Sequence, residues 1–235
     1  MRNYIELNGQ NSNEITGLLI QSLPPISQPK IRTNIEEIDG RDGDIITKLG
    51  YSAYNKEISI GLYGDYDVDD VIAYFTNNQS GKVTFSNEQD KYYNYEILDE
   101  IDFERLIRFK TATVTMHIQP FKYSNEQGIK TFNISEETSV TIYNNGNYKS
   151  KPIIKITGSG TIEFKQEGIA VFTYTFPTDD TYVVIDSDKQ DAYVGSILKN
   201  RNMDGEFPIL KVGKNVLSWT GTITKIEVSN YSRWL

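Results

Sequence analysis

The chain has no cysteine, which excludes a disulfide framework, a thiolate metal site and a cysteine nucleophile together. Histidine is almost as scarce. His117 is the only one, so no site built from several imidazoles can form, and any Ser/His/Asp triad would have to use it. No run of apolar residues approaches the length of a membrane span. The opening residues Met1 to Asn8 lack the apolar stretch of a signal peptide, so synthesis in a cytoplasm is expected. A phosphate loop, a dinucleotide fingerprint and a basic patch are missing too, and no cofactor is expected.

What is present is enough for a substantial core. At 235 residues and 38% hydrophobic content, the chain fits one large all-β domain or two of moderate size. Two are expected, residues 1–128 and 129–235, because Ser124 to Gly128 is a polar, glycine-closed stretch between segments of different texture. The net charge of -8 falls unevenly across that boundary: residues 1–128 carry 12 Lys+Arg against 20 Asp+Glu, and 129–235 carry 12 of each. An acidic first half disfavours nonspecific capture of nucleic acid, because phosphate binding works through Lys and Arg displacing counterions. It suits a surface that nucleic acid passes without sticking.

Most of the first half reads as strand. Tyr4 to Leu7 and Leu18 to Leu23 flank a polar turn, and Pro24-Pro25 ends the second. Lys30 to Glu37 and Glu57 to Leu62 each alternate apolar and polar residues, the signature of half-buried strands. Between them lies a charged turn, Ile38-Asp39-Gly40-Arg41-Asp42-Gly43-Asp44. Gly40 and Gly43 suit backbone with positive φ and would hold Arg41 and Asp42 at the tip of a defined bend. One helix is expected over Asp67 to Asn77, with Asp67 as N-cap and Val68, Val71, Ile72 and Phe75 as its apolar stripe. Lys82 to Phe85 and Tyr92 to Leu98 form a hairpin. A long strand, Arg108 to Gln119, places Ala112, Val114, Met116 and Ile118 on one face and Thr111, Thr113, Thr115 and His117 on the other, with Pro120 as its end.

Beyond residue 128 short strands follow closely, and no helical period appears. They are Ile129–Ile134, Ser139–Tyr143, Ile153–Thr157, Gly160–Phe164, Ala170–Phe176, Tyr182–Ile185, Ala192–Val194, Val216–Trp219 and Thr222–Val228. Turn signals such as Asn144-Asn145-Gly146-Asn147 separate them, which indicates a β-sandwich of jelly-roll type.

Four groupings could carry chemistry. His117 sits mid-strand among threonines with no nucleophile or orienting acid supplied by a motif. Glu96, Asp99, Glu100, Asp102 and Glu104 could furnish the two carboxylates of a glycoside hydrolase, or simply form a solvated acidic edge. Asp186, Asp188, Asp191, Asn200 and Asn202 offer oxygen ligands without the spacing of a calcium loop. Trp219 and Trp234 with Tyr182, Tyr193 and Tyr231 could stack on sugars, although Trp219 shares a face with Leu217 as a core residue would. No metal site and no catalytic residue is assigned from them. A carbohydrate-binding module recognising host cell-wall glycans is the alternative to the reading that follows.

The chain resembles the distal tail protein family, Dit, of non-contractile long-tailed phages infecting Gram-positive bacteria. The resemblance rests on Ile38 to Gly43 with the strand Glu57 to Leu62, and on Met116-His117-Ile118-Gln119-Pro120-Phe121-Lys122-Tyr123. It rests further on Asn144 to Gly160, on Met203-Asp204-Gly205-Glu206-Phe207-Pro208-Ile209-Leu210 with Gly213-Lys214-Asn215, and on Arg233-Trp234-Leu235. It implies a mainly β chain: a ring-forming, tail-tube-like amino-terminal β-barrel or sandwich with one helix, and a carboxy-terminal galectin-like β-sandwich. It implies a non-enzymatic hub in the virion tail tip, a homo-hexamer assembled in the host cytoplasm and bound to no membrane. Its expected partners are the major tail tube protein, the tail-associated lysin and receptor-binding proteins, with DNA passing through the lumen unbound. Some relatives carry a receptor-binding arm or a carbohydrate module inserted in the second domain, and this chain has no long irregular stretch to hold either. The turn Gly40, Arg41, Asp42, Gly43 is the candidate intersubunit contact.

Overall fold

Period-2 alternation becomes strand throughout both halves of the chain. The computed structural model describes residues 2–235. They divide into two compact units, one ending at Asn125 and the other Glu126–Trp234.

In the first unit the strands are β1 Ile5–Leu7, β2 Gln10–Asn11, β3 Leu18–Ser22, β4 Ile31–Glu36, β5 Ile45–Tyr51, β6 Tyr54–Leu62, β7 Ser80–Phe85, β8 Lys91–Glu96 and β9 Thr111–Ser124. Seven of them make one antiparallel sheet in the order β2-β1-β7-β8-β9-β6-β3, while β4 and β5 pair only with each other. Ala112, Val114, Met116 and Ile118 of β9 are buried as their alternation predicts. They join Ile58 and Ile60 of β6 and Ile5 and Leu7 of β1 in one core. Helix α1, Val68–Thr76, covers that face with Val71, Tyr74 and Phe75. Asp67 caps it, its side chain accepting from the Asp69 amide at 2.8 Å.

Three expectations are corrected here. Pro120 does not end β9. The register against β8 slips by two residues, Tyr93 pairing with Lys122 but Tyr95 with Ile118, so Pro120 lies in a bulge where no ladder N–H is needed. A second helix, α2 Phe103–Phe109, stands where only an acidic edge and the start of a strand were expected. Asp102 caps it through the Arg105 amide at 2.8 Å, and Leu106 is its buried residue. The partner across the charged turn is β5, not Glu57–Leu62, which lies in β6 between β9 and β3. Strand β5 escapes a period-2 reading because Ile45 and Ile46 are adjacent and the register slips opposite Arg32 and Thr33, leaving Leu49 unpaired.

The second unit comprises β10 Lys130–Asn133, β11 Ser139–Asn144, β12 Ile153–Gln166, β13 Ile169–Thr175, β14 Tyr182–Asp186, β15 Asp191–Val194, β16 Ile197–Leu198, β17 Met203–Gly205 and β18 Gly213–Ser229. Two pairs of expected short strands are single long ones. β12 runs through Gly158 to Gly160, and β18 runs through Thr220 to Gly221. The two bend together, with their mutual register shifting between Thr157 and Glu163. Past the bend each acquires new neighbours: β12 leaves β14 for β13, and β18 leaves β10 for β11. One continuous network therefore doubles into two layers. Gly221 has φ +88°, and a Cβ there would lie 2.4 Å from the Thr161 carbonyl oxygen, so the crossing tolerates no side chain. Ile154, Ile156, Ile162, Phe164, Phe172, Leu217 and Trp219 fill the space between the layers, the sandwich core that jelly-roll spacing predicts.

Candidate functional site

Among the described residues, β4 and β5, which form a hairpin, are the strands that lie outside both large sheets. Residues Arg32 to Asp44 are all exposed on it. Ile35 pairs with Ile46, and these two with Leu49 and Ile38 are between 48% and 60% exposed. A lone two-stranded hairpin is marginal in water, and its apolar pairs ordinarily face something. Here they face solvent, as interaction surfaces do. At the tip the Arg41 amide donates to the Ile38 carbonyl at 3.1 Å, while Gly40 and Gly43 take φ values of +80° and +75°. Arg41 and Asp42 are thereby presented outward on fixed backbone, as the turn chemistry requires.

A second feature lies on the sheet face opposite α1. From β9 it carries Thr111, Thr113, Thr115 and His117, and from β6 Asn55, Glu57 and Ser59, in register across the two strands. Glu6, Lys82, Thr84, Asn94 and Glu96 continue it over β1, β7 and β8. Hydroxyls and amides bond along the surface: Thr111 Oγ1 donates to Gln21 Oε1 at 2.8 Å, and His117 Nδ1 lies 3.1 Å from Asn55 Oδ1. Lys82 is the only cation among these residues, and its ammonium sits 4.5 Å from the Tyr92 ring centroid. Such a face is poor in the cations that gather phosphates.

Several residues of the remaining candidates have structural roles. The contact of His117 with a carboxamide leaves it without the orienting carboxylate bond of a triad. In the acidic stretch Asp102 is spent on capping α2, and Glu104 pairs with Arg108 one turn along that helix at 2.5 Å. Asp186 accepts from the amides of Asp188 and Lys189, each at 3.1 Å, while Asn200 Oδ1 accepts from the Ala192 amide at 2.5 Å. Those oxygens stitch turns together, and among the described residues no cluster of His, Asp or Glu is arranged to hold a metal. Trp219 is 4% exposed inside the sandwich core, so it offers no ring to a sugar.

Several motifs that carried the family resemblance are buried turn-formers. Asn144, 1% exposed, donates to the carbonyls of Tyr148 and Leu210 and accepts from the Gly146 amide. Asn215, fully buried, does the same for Lys211 and Gly213. Arg233, 4% exposed, donates from Nε to the Lys149 carbonyl at 2.5 Å. These residues specify the second unit's loops.

No protein-family model and no curated protein matches the sequence. Solved structures do match. The chain is similar to the SPP1 Dit protein, described as a paradigm of hub adsorption apparatus in Gram-positive infecting phages, with a TM-score of 0.65, 17% identity and 100% of both chains covered. It is also similar to chains of the phage P2 baseplate in its activated conformation, with TM-scores of 0.53 for the Ca form and 0.52 for the Sr form. Both match at 12% identity over 97% of each chain. The fold is thus that of phage distal tail and baseplate proteins, mainly β with two helices.

Proposed function

We propose that this protein is a structural hub of a phage tail tip, a subunit of a six-membered ring that joins the tail tube to the tail-associated and receptor-binding machinery. It performs no turnover. The likeness to hub and baseplate proteins covers both units from end to end, which supports a role that needs both. The observation that carries the reading is the detached hairpin, with Ile35 and Ile46 exposed side by side.

A closed ring of more than two subunits requires heterologous contacts, in which one patch on a subunit meets a different patch on the next. The hairpin serves as the arm of that contact, with Gly40, Arg41, Asp42 and Gly43 at its leading end. The hydroxyl- and amide-rich sheet face suits the channel wall. DNA meets Thr, Asn and Glu side chains there and releases no counterions in exchange for lysine or arginine contacts. The ring belongs to the virion tail and is assembled in the host cytoplasm.

Negative-stain electron microscopy of the purified protein, together with its mass in solution, tests the proposal. Six-membered rings with an open centre are expected. A monomer at every concentration, absent from purified tail tips, would sink it.

A further inference from the structure

The hairpin is reached through Leu23 to Lys30, a strap in which Pro24, Pro25 and Pro29 carry no N–H. Such a strap cannot be laddered through those residues, and it is held instead by its carbonyls. Lys56 Nζ donates to the Pro25 carbonyl at 2.7 Å, and Asn87 Nδ2 donates to that of Pro24 at 3.1 Å. The other leg of the hairpin enters β6 after only Ser52 and Ala53, and the Ser52 amide donates to the Lys30 carbonyl at 2.8 Å. Fixing the strap therefore fixes both legs at their root.

Lys56 is 4% exposed, a costly place for an ammonium. The rings of Tyr54 and Tyr93 flank it, with centroids 5.5 and 5.3 Å from Nζ. Glu88 sits behind them, accepting from the Tyr93 hydroxyl at 2.7 Å and from Lys122 Nζ at 2.8 Å. That carboxylate pairs directly with Lys122 and acts on Lys56 only through its charge. Burial pulls the Lys56 pKa below its ordinary value, with Glu88 opposing the fall and Lys122 adding to it. A methionine would fill the same space without that cost. What methionine could not supply is the hydrogen bond to the strap.

We propose that Lys56 and Asn87 are positioning residues that clamp the Pro24-Pro25 strap to the first unit and so aim the β4–β5 hairpin. This rests on the reading of the hairpin as an arm between subunits.

The absence of cysteine makes the test direct. Spin labels placed through Asp42→Cys at the tip and Thr113→Cys on the sheet report the tip-to-sheet distance distribution, in labelled chain diluted with unlabelled chain. The wild-type distribution is narrow. Lys56→Met broadens it roughly twofold, while the denaturation midpoint stays level or rises because a desolvated charge has gone. Asn87→Ala, which leaves every charge in place, broadens it in the same sense and stands in if Lys56→Met misfolds. Unchanged widths in both variants, or broadening only in proportion to lost global stability, overturn the clamp. Broadening with ring assembly unaffected upholds the clamp and removes the hairpin's role as an arm.

Discussion

Ile35 and Ile46 stand directly opposite each other across the hairpin, 56% and 60% exposed. Cross-strand apolar pairs stabilise a sheet when a face covers them, and no second layer of the first unit does so. Replacing Ile46 by Asp leaves the unit's core untouched, so circular dichroism and the denaturation midpoint stay as in wild type. Ring assembly weakens about tenfold or more, the scale of losing an interface anchor worth on the order of 1–2 kcal/mol. Sedimentation across a concentration series reads both states, and unchanged assembly would remove this pair from the interface.

Arg41 projects from a tip whose neighbours are Asp39, Asp42 and Asp44. Arg41→Glu makes that tip uniformly acidic without altering the glycines that shape it. Weaker ring formation is expected, more so at low salt, since exposed charges act through a screened field. A variant that elutes at the assembled mass of wild type would count against the tip.

At the crossing of the second unit, Gly221→Ala forces a Cβ against the Thr161 carbonyl oxygen and strains a φ of +88°. A loss of about 1–3 kcal/mol in that unit follows from overpacking. Denaturant unfolding should show the loss in one transition only, leaving the first unit's transition in place. A shift common to both transitions would contradict two separately cored units.

Burial raises the pKa of Tyr74, Tyr93 and Tyr95 in the first unit, and in the second it pushes Tyr174 up to about 12, with the charge of Asp180 adding to the rise. A raised folded-state pKa contributes stability that is complete below the unfolded value of about 10 and is lost as pH climbs through the folded values. Alkaline unfolding is therefore expected above roughly pH 10, with these tyrosines ionising only as the fold opens. An ultraviolet absorbance titration in which all 16 tyrosines ionise in one step, with the fold retained, would disprove it.

The Tyr174 hydroxyl is buried and has no hydrogen-bond partner. Tyr174→Phe removes an uncompensated polar group while keeping the ring in the core. Stability should hold or rise by about 1 kcal/mol, measured as a shift in the second unit's denaturation midpoint. A marked loss would mean that the hydroxyl is bonded in solution.

Periodicity was decisive wherever strands lie half-buried. The buried set of β9 could be read directly because one side chain in two meets the core, whereas the stripe of α1 was read only in part: Val71 and Phe75 are buried, Val68 and Ile72 only partly so, and the buried Tyr74 was not expected. The tip glycines were legible for the same local reason: positive φ is a property of the residue and its bend. Strand β5 was not, since its adjacent isoleucines and the unpaired Leu49 obey a register slip rather than an alternation. Helix α2 was hidden by acidic residues whose work, capping and pairing, depends on where the chain turns.

Composition alone determined that no thiol and no histidine cluster could carry the function, because cysteine is absent and histidine single. Only the tertiary structure decided that β12 and β18 each serve two layers, that Trp219 is walled in, and that Lys56 reaches across to the strap. Each of these is a contact between segments far apart in the chain, set by how the sheets bend and pack, and local sequence pattern carries no record of such distances.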